Sequence, residues 1–480
     1  MIDAREQVRR ALGQRRAWLV GGAVRDRALG REGAVDLDVV VEGDAREAAA
    51  ALAGALRRAG ERPARFALSE EFGAWRVVAR RGGWHVDIEP LHGEGLAQDL
   101  ARRDFTVNAI AEPLEGGEPI DPLGGLRDLE AGRLRLASGR ALREDPLRVL
   151  RLARMTIELG LRAERDAVRA AQASAPDLEG VSAERIFQEL RRIVEARGAI
   201  DGIELLAQLG ALAVVLPELE ATRGVEQNRF HHLDVYGHTL EVLSRVIALQ
   251  EGRDSEGWLA SLDGRARAAI DSLLHEPLGD ELTRGGALRW GALLHDAAKP
   301  RTREVRPADG RVTFIGHDAI GAELARARLG SLRAGERVRA HVAALVRYHL
   351  RLGFLVHKPQ PLGRRALFAY MRGCEPVAAD VTLLSVADRL ATRGASARRA
   401  IDAHLAVARQ VVGEALRWRE QGPPAPLLRG DELAAELGRP AGPWLGALLE
   451  RLAEAQYAGE IATREQALAR ARALEASQQQ

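Results

Sequence analysis

Lysine is nearly missing from this 480-residue chain. Of its 70 basic residues only Lys299 and Lys358 are lysines, and the rest are arginines. Its cationic character therefore rests on guanidinium groups, whose planar fork suits phosphates and base edges. A GC-rich genome gives the same bias, since Ala, Arg, Gly and Leu dominate together. Net charge is only +2, so charge permits a nucleic-acid partner without requiring one. A single cysteine, Cys374, excludes an internal disulfide framework and fits a reducing compartment. No apolar run is long enough to cross a bilayer, and the N-terminal MIDAREQVRRALGQRRAW lacks a signal-peptide core. A cytoplasmic protein with no membrane partner is expected. No fixed-period repeat is present, and nothing in the sequence fixes an oligomeric state.

The length predicts more than one domain. Over the first 130 or so residues, short β-like runs alternate with helical ones. WLV at 18–20 and VDLDVVV at 35–41 read as strands, and AREAAAALAGALRRAG as an Ala-rich helix. AWRVVA and WHVDIEP read as strands joined in a hairpin across Arg81, Gly82 and Gly83. From about residue 140 the β signal fades and apolar residues recur at helical spacing. The expected fold class is α+β: a small mixed α/β head over 1–138, a helical neck and body over 139–230, a histidine-rich helical domain over 231–420, and a helical tail over 421–480. QGPPAP at 421–426 reads as the linker into that tail.

Chemistry concentrates first at Asp36 and Asp38, two acids inside an apolar run. Residues i and i+2 of a strand face the same side. Two hard oxygen ligands on one rigid face suit Mg²⁺, which fills its shell with water and phosphate oxygens. Asp87, between Val86 and Ile88, is a third candidate, and three acids on neighbouring strands would hold two metals. A solvated D-x-D at a sheet edge is the plain alternative. Upstream, Gly21 and Gly22 follow a strand and precede Arg25 and Asp26. Glycines allow close backbone approach to phosphate, and Arg25 is placed to neutralise it.

These segments, LVGGAVRDRALG and VDLDVVV, followed in order by RRDFTVNAIA, DPLGGLRDL, REDPLRVLRLAR and SAERIFQEL, resemble the class II tRNA nucleotidyltransferase and bacterial poly(A) polymerase family of the polymerase β superfamily. The resemblance covers roughly the first 235 residues and extends more loosely to the end. It implies Asp36 and Asp38 as ligands of catalytic Mg²⁺, with Asp87 in the superfamily's third-acid position. It implies Gly21, Gly22, Arg25 and Asp26 on the triphosphate. Arg102, Arg103 and Asp104 would contact the nucleotide and its sugar, with Asn108 nearby. The implied partners are tRNA, ATP and CTP.

Glu144, Asp145 and Arg148 fall at a predicted helix start, and positions 145 and 148 share a face. Cytosine and adenine each offer an exocyclic amine beside a ring acceptor, whereas uracil and guanine offer a carbonyl beside a ring N–H. An Asp acceptor with an Arg donor matches the first pair only. A surface ion pair is the plain alternative; the family, by resemblance, reads CTP and ATP with this E-D-x-x-R motif. Arg151 and Arg154 continue the basic face at three-residue spacing. Ser182 reads as an N-cap, with Glu184 and Arg185 bracing the neck helices.

Further along come HHLDVYGH, GALLHDAAKP, FIGHDAIGAELA, HVAALVRYHL and DVTLLSVADRLATRG. A lone His is usually a core residue, but His295-Asp296 on an apolar helix resembles the HD superfamily of metal-dependent phosphohydrolases. That resemblance implies His238, His295, Asp296 and Asp388 as ligands of a second divalent metal of the transition series. His317, His341 and His349 would complete a second position, and Lys299 would contact phosphate. Gly438, Pro440, Gly442 and Pro443 punctuate a helix–turn–helix-like tail, whose contact with tRNA rests on resemblance alone. The expected activity is template-independent addition of C and/or A to the tRNA 3′ end. CC-adding, A-adding and poly(A)-polymerase activities share the fold, and an HD phosphohydrolase with an RNA-binding head is the rival of another class.

Overall fold

The computed structural model describes residues 4–31, 36–69, 73–80, 83–228, 232–254, 256–393 and 397–476. The chain divides into two compact units, residues 1–215 and 216–480. The first unit carries the sheet. Its strands are β1 (Ala17–Val20), β2 (Asp36–Val41), β3 (Ala64–Ser69), β4 (Ala74–Ala79), β5 (Trp84–Pro90) and β6 (Ala111–Pro113), in the order β3-β4-β5-β2-β1-β6. β2 is thus central, not an edge strand, and lies parallel to β5 and antiparallel to β1. β4 and β5 pair antiparallel as expected, with Ala79 opposite Trp84; Arg81 and Gly82 of the expected turn fall outside the described residues. β3 and β6 are strands that the sequence pattern did not separate from loop.

Leu37, Val39 and Val41 of β2 are buried on one face, and Val40 on the other. The helix Ala45–Arg58 covers one side with Ala48, Ala49, Leu52, Ala53 and Leu56. Asp44 caps its start by accepting from the Arg46 and Glu47 amides. Asp128, fully buried within DPLGGLRDL, accepts from Thr106 Oγ1 at 2.7 Å and from Arg133 and Arg135. That anchors the 3₁₀ turn Thr106–Asn108 that presents Asn108. Helices follow, chiefly Arg148–Leu159 and Ala183–Glu195. Ser182 does occupy the N-cap position of the latter, but its side chain makes no capping bond.

The second unit is mainly helical and buries a histidine-rich centre. Two short strand pairs interrupt it, Pro277–Gly279 with Leu282–Thr283 and Glu304–Val305 with Val312–Thr313. Both fall where the sequence reads as helix and connector. Its tail helices Gly430–Glu436, Pro443–Ala458 and Arg464–Ala476 share an apolar core around Leu433, Leu452 and Ala471. Cys374 is buried, which pushes its thiol up to about 11, so it is an inert core residue. No helix among the described residues is long and apolar enough to cross a membrane.

Candidate active site and candidate metal centre

In the first unit the pleat sends Asp36 and Asp38 to the same side. Their parallel neighbours across β5 are His85 and Asp87, and Arg76 of β4 lies opposite Asp87. Asp36 is open to solvent and touches His85 Nε2 at 2.8 Å. Asp38 is enclosed. Burial lifts its pKa to about 6; Arg103 pulls it back, while Asp36, Asp87 and Glu89 push it further up. An acid that is costly to ionise alone, beside two more carboxylates, is a donor set suited to a divalent cation.

Gly21 is the hinge of this arrangement. Its φ is +72°, and a Cβ there would stand 2.8 Å from Asp38 Oδ2 and 3.3 Å from Arg103 Nη1. The residue is glycine both for its backbone angle and because the carboxylate passes where a side chain would start.

From Gly22 the helix Gly22–Ala28 carries Arg25 and Asp26 into a cleft of about 840 Å³. Arg25 donates to Asp26 Oδ1 at 2.8 Å and to Asn108 Oδ1 at 2.6 Å. Asn108 donates to Asp104 at 2.9 Å, and Asp104 meets Arg151 at 2.9 Å. A polar chain Asp26–Arg25–Asn108–Asp104–Arg151 therefore crosses the floor of the cleft. Burial alone would raise the Asp104 pKa; Arg151, Asn108 and the Phe105 amide overcome it and hold the carboxyl below its usual value. Arg102, Arg103 and Arg148 complete the basic wall. Arg148 donates to the carbonyls of Arg102 at 2.9 Å and Ala141 at 3.0 Å.

Other expected residues fall outside this picture. Asp87 does not line the cleft; Arg76 grips both its oxygens at 2.6 Å. Glu144 ends the short helix Ala141–Glu144, and neither it nor Asp145 lines the cleft. Asp145 accepts from Arg185 at 2.7 Å and from the Leu147 amide at 3.2 Å. Arg185 thus braces the neck through Asp145. Arg154 reaches the cleft but is 4% exposed and held between Glu158 and Glu189, both at 2.6 Å. Arg31, Glu89, His92 and Arg192 also line the cleft and were missed. Arg192 was legible, seven residues after Arg185 on one helix face.

In the second unit, helix ends deliver the imidazoles. His295, His317 and His349 each place Nδ1 within 2.7–2.8 Å of a backbone carbonyl three residues earlier: Ala292, Phe314 and Val346. A carbonyl accepts only from a protonated Nδ1, so each neutral ring turns its Nε2 lone pair inward. The Nε2 atoms of His317 and His349 face each other at 3.3 Å. With both Nδ1 atoms donating elsewhere, that contact needs either a proton on one Nε2 or a metal ion between the two lone pairs. His238 Nε2 is 3.1 Å from Asp388 Oδ1, and His295 Nε2 is 3.0 Å from Asp296 Oδ2 without hydrogen-bonding it. Ligand atoms gather in two sets, His238–His295–Asp388 and Asp296–His317–His349. All four expected ligands are present, and the donors fit two divalent ions.

The electrostatics match. Burial opposes charging of His295, yet Asp296 and Asp388 outweigh it and raise its pKa. Burial would raise Asp296; His295 and Lys299 hold it far below the usual range. Burial, then His295 and His317, press His349 down to about 4. Lys299 bonds Asp296 and Gln227, both at 2.7 Å, and with His404 and Arg389 lines a separate cavity of about 770 Å³ within this unit. His341 is a correction: it lies apart from this centre. It stands 3.6 Å from Asp380, whose carboxylate is buried against Arg284. That is a structural ion cluster, since a buried acid needs a cation.

Comparisons with known proteins agree with this geometry. Residues 17–135 match the poly A polymerase head domain, 160–222 the probable RNA and SrmB-binding site of polymerase A, and 235–393 the HD domain. The A-adding tRNA nucleotidyltransferase of Deinococcus radiodurans is 37% identical over 460 residues, 94% of each chain. The CC-adding tRNA nucleotidyltransferase of Thermus thermophilus is 35% identical over 462 residues, 94% of this chain and 92% of that one. The multifunctional CCA protein of Halorhodospira halophila is 34% identical over 348 residues, covering 69% and 73%. The Thermotoga maritima CCA-adding enzyme complexed with tRNA shares the fold, with a TM-score of 0.59 at 20% identity over 98% of this chain and 94% of that one. The chain belongs to the tRNA nucleotidyltransferase and poly(A) polymerase family, with a family head and an HD domain on one polypeptide.

Proposed function

We propose that this enzyme extends the 3′ end of tRNA with C and/or A, drawing on CTP and ATP without a nucleic-acid template. The observation that carries the reading is Asp36 and Asp38 on a central strand beside an arginine-walled cleft. It gains support from end-to-end relatives that add A or CC. The tRNA 3′-hydroxyl attacks the α-phosphate and pyrophosphate leaves. Mg²⁺ at Asp36 and Asp38, when bound, supplies charge stabilisation for that displacement.

The chain's own groups do the rest. Gly21 and Gly22 let the triphosphate approach the backbone, and Arg25, Arg102 and Arg103 balance its charge. Asp104 and Asn108 hold Arg25 and Arg151 in fixed orientations and meet the sugar. Arg148, on the cleft wall, donates to the ring acceptor of cytosine or adenine; Asp145, which Arg185 holds outside the cleft, turns in when the nucleotide binds to accept from the exocyclic amine, with Glu144 beside it. Uracil or guanine would leave buried polar groups unpaired, which gives strong rejection. Catalysis is thus mostly positioning and electrostatics. The matching domain assignment is a head over 1–138, a neck and body over 139–230, an HD domain over 231–420 and a tail over 421–480. A tRNA substrate fits a cytoplasmic location.

The histidine centre supports a second metal-dependent activity, phosphohydrolysis. Imidazoles with carboxylates favour Mn²⁺, Fe²⁺, Ni²⁺ or similar ions. The facing Nε2 atoms of His317 and His349 favour a bound cation.

One experiment tests the main reading and resolves its variants. Purified protein is offered tRNA ending before the first C, after CC, and complete, with each labelled nucleotide in turn. CCA, CC-only, A-only and poly(A) addition each give a different pattern. No addition to any of them refutes the transferase reading.

A further inference from the structure

Beside the Asp36–Asp38 pair the head holds an imidazole that the transferase reading leaves unused. β2 and β5 run parallel with Asp36 opposite His85 and Asp38 opposite Asp87, so all four side chains leave the same face of the sheet. His85 Nε2 is 2.8 Å from Asp36 Oδ1. One ligand atom from each of Asp36, His85 and Asp87 lies within 4.8 Å of the other two. Bonds of about 2.0–2.2 Å to a shared ion hold its ligand atoms within about 4.4 Å of one another, so a shift of a few tenths of an ångström at most would let this group seat one.

A cross-strand His–Asp contact by itself would be only an ion pair. Two further features separate this group from one. Asp87 joins it, and Arg76 fixes the plane of Asp87 with two bonds of 2.6 Å. Each carboxylate oxygen keeps a second lone pair, so Arg76 orients Asp87 without using it up, as outer partners of metal ligands do. Asp36 is 62% exposed, which leaves one side of the group open to water or a phosphate oxygen.

Mg²⁺ takes oxygen donors and rarely accepts an imidazole, whereas one nitrogen with two carboxylates suits first-row transition ions. We propose that Asp36, His85 and Asp87 form a binding position for a transition-series divalent cation of the Mn²⁺ or Zn²⁺ class, adjoining the Mg²⁺ site and sharing Asp36 with it. The head then has mixed metal demand: oxygen-only ligation at Asp38 and nitrogen-containing ligation at His85. The proposal rests on the transferase reading only in making Asp36 a metal ligand.

The test uses the whole chain with the HD centre silenced by His238→Gln, His295→Gln, His317→Gln and His349→Gln, which removes every imidazole of its two sets. Mn²⁺ alone is added, and pulsed EPR reads ¹⁴N coupling from a coordinated imidazole. Coupling is expected in that background and is lost on adding His85→Gln, which keeps a polar group facing Asp36. Zn²⁺ affinity, measured by equilibrium dialysis, should fall on the order of tenfold or more with the same change. Thermal melting of the His85→Gln protein checks that it is folded. Absence of nitrogen coupling before His85 is changed overturns the proposal whatever the variant does. Persistence of coupling, or of Zn²⁺ affinity, in the folded variant also overturns it. Wild-type tRNA extension with Mg²⁺, run in parallel, reports separately on the transferase reading.

Discussion

The two units gather carboxylates in opposite ways. The head leaves its acids half-open: Asp36 faces solvent, Asp38 is enclosed, and the cleft beyond is walled by arginines. The HD centre encloses His238, His295 and Asp296 almost completely and fixes three imidazoles by carbonyl bonds. The first site leaves most of a metal's shell to water and substrate phosphates. The second brings most of the shell itself. A site that completes itself only with substrate suits group transfer from a nucleotide. A site preassembled from protein suits a resident metal.

Crossed substitutions break the comparison most directly. Asp36→Ala with Asp38→Ala should lower incorporation by about 10³-fold or more while tRNA binding survives, read by single-turnover assays and filter binding. His295→Ala should instead lower the transition-metal content of purified protein, read by elemental analysis. If His295→Ala also lowered incorporation by a similar factor, the two centres would not be independent.

Next in size is Arg154. Held between Glu158 and Glu189, it belongs to the protein's frame as much as to its cleft. Arg154→Leu strands two acids and should cost about 3 kcal/mol of stability in denaturant unfolding. A larger loss of nucleotide affinity than of stability would return it to the binding set.

The pH dependence of the metal-free protein sharpens the contrast further. Asp38 has a native pKa of about 6 against 3.8 when free. The native state therefore binds a proton more readily than the unfolded chain. This group's stabilisation is complete below 3.8 and is lost as pH rises through 6. Asp38→Asn should thus stabilise metal-free protein by about 2–3 kcal/mol at pH 7.5 and about 1 kcal/mol at pH 4.5, measured by urea unfolding.

The smallest expected effect is at Arg185, which holds Asp145 from the neighbouring helix. Arg185→Ala should raise UTP or GTP misincorporation by about tenfold with a minor change in CTP and ATP use. Unchanged discrimination would mean that Asp145 is oriented without it.

What the sequence disclosed follows from how local each signal is. Asp36 and Asp38 are legible because a strand's period puts i and i+2 together. The HD ligands are legible because His295 and Asp296 adjoin. The Arg76–Asp87 grip was not, since it depends on the register of β4 against β5. Arg154 misled because three-residue spacing shows which helix face it shares with Arg148, but not that Glu189 waits on another helix. His341 misled for the same reason: its partner, Asp380, lies 39 residues further along the chain. Apart from the adjoining His295 and Asp296, the six ligands of the two histidine sets come together only through packing of separate helices, which no periodicity reports.

The tight passage of Asp38 beside Gly21 also bears on inheritance. Every amino acid reachable from a glycine codon by one base change carries a Cβ, and here that atom would meet a metal-facing carboxylate at 2.8 Å. Codon 21 therefore has no missense neighbour that spares the site. A genetic screen of this gene should recover substitutions at Gly139 or Gly180, where the same added atom meets nothing within 4 Å and the backbone angle is one that any residue adopts, but none at position 21.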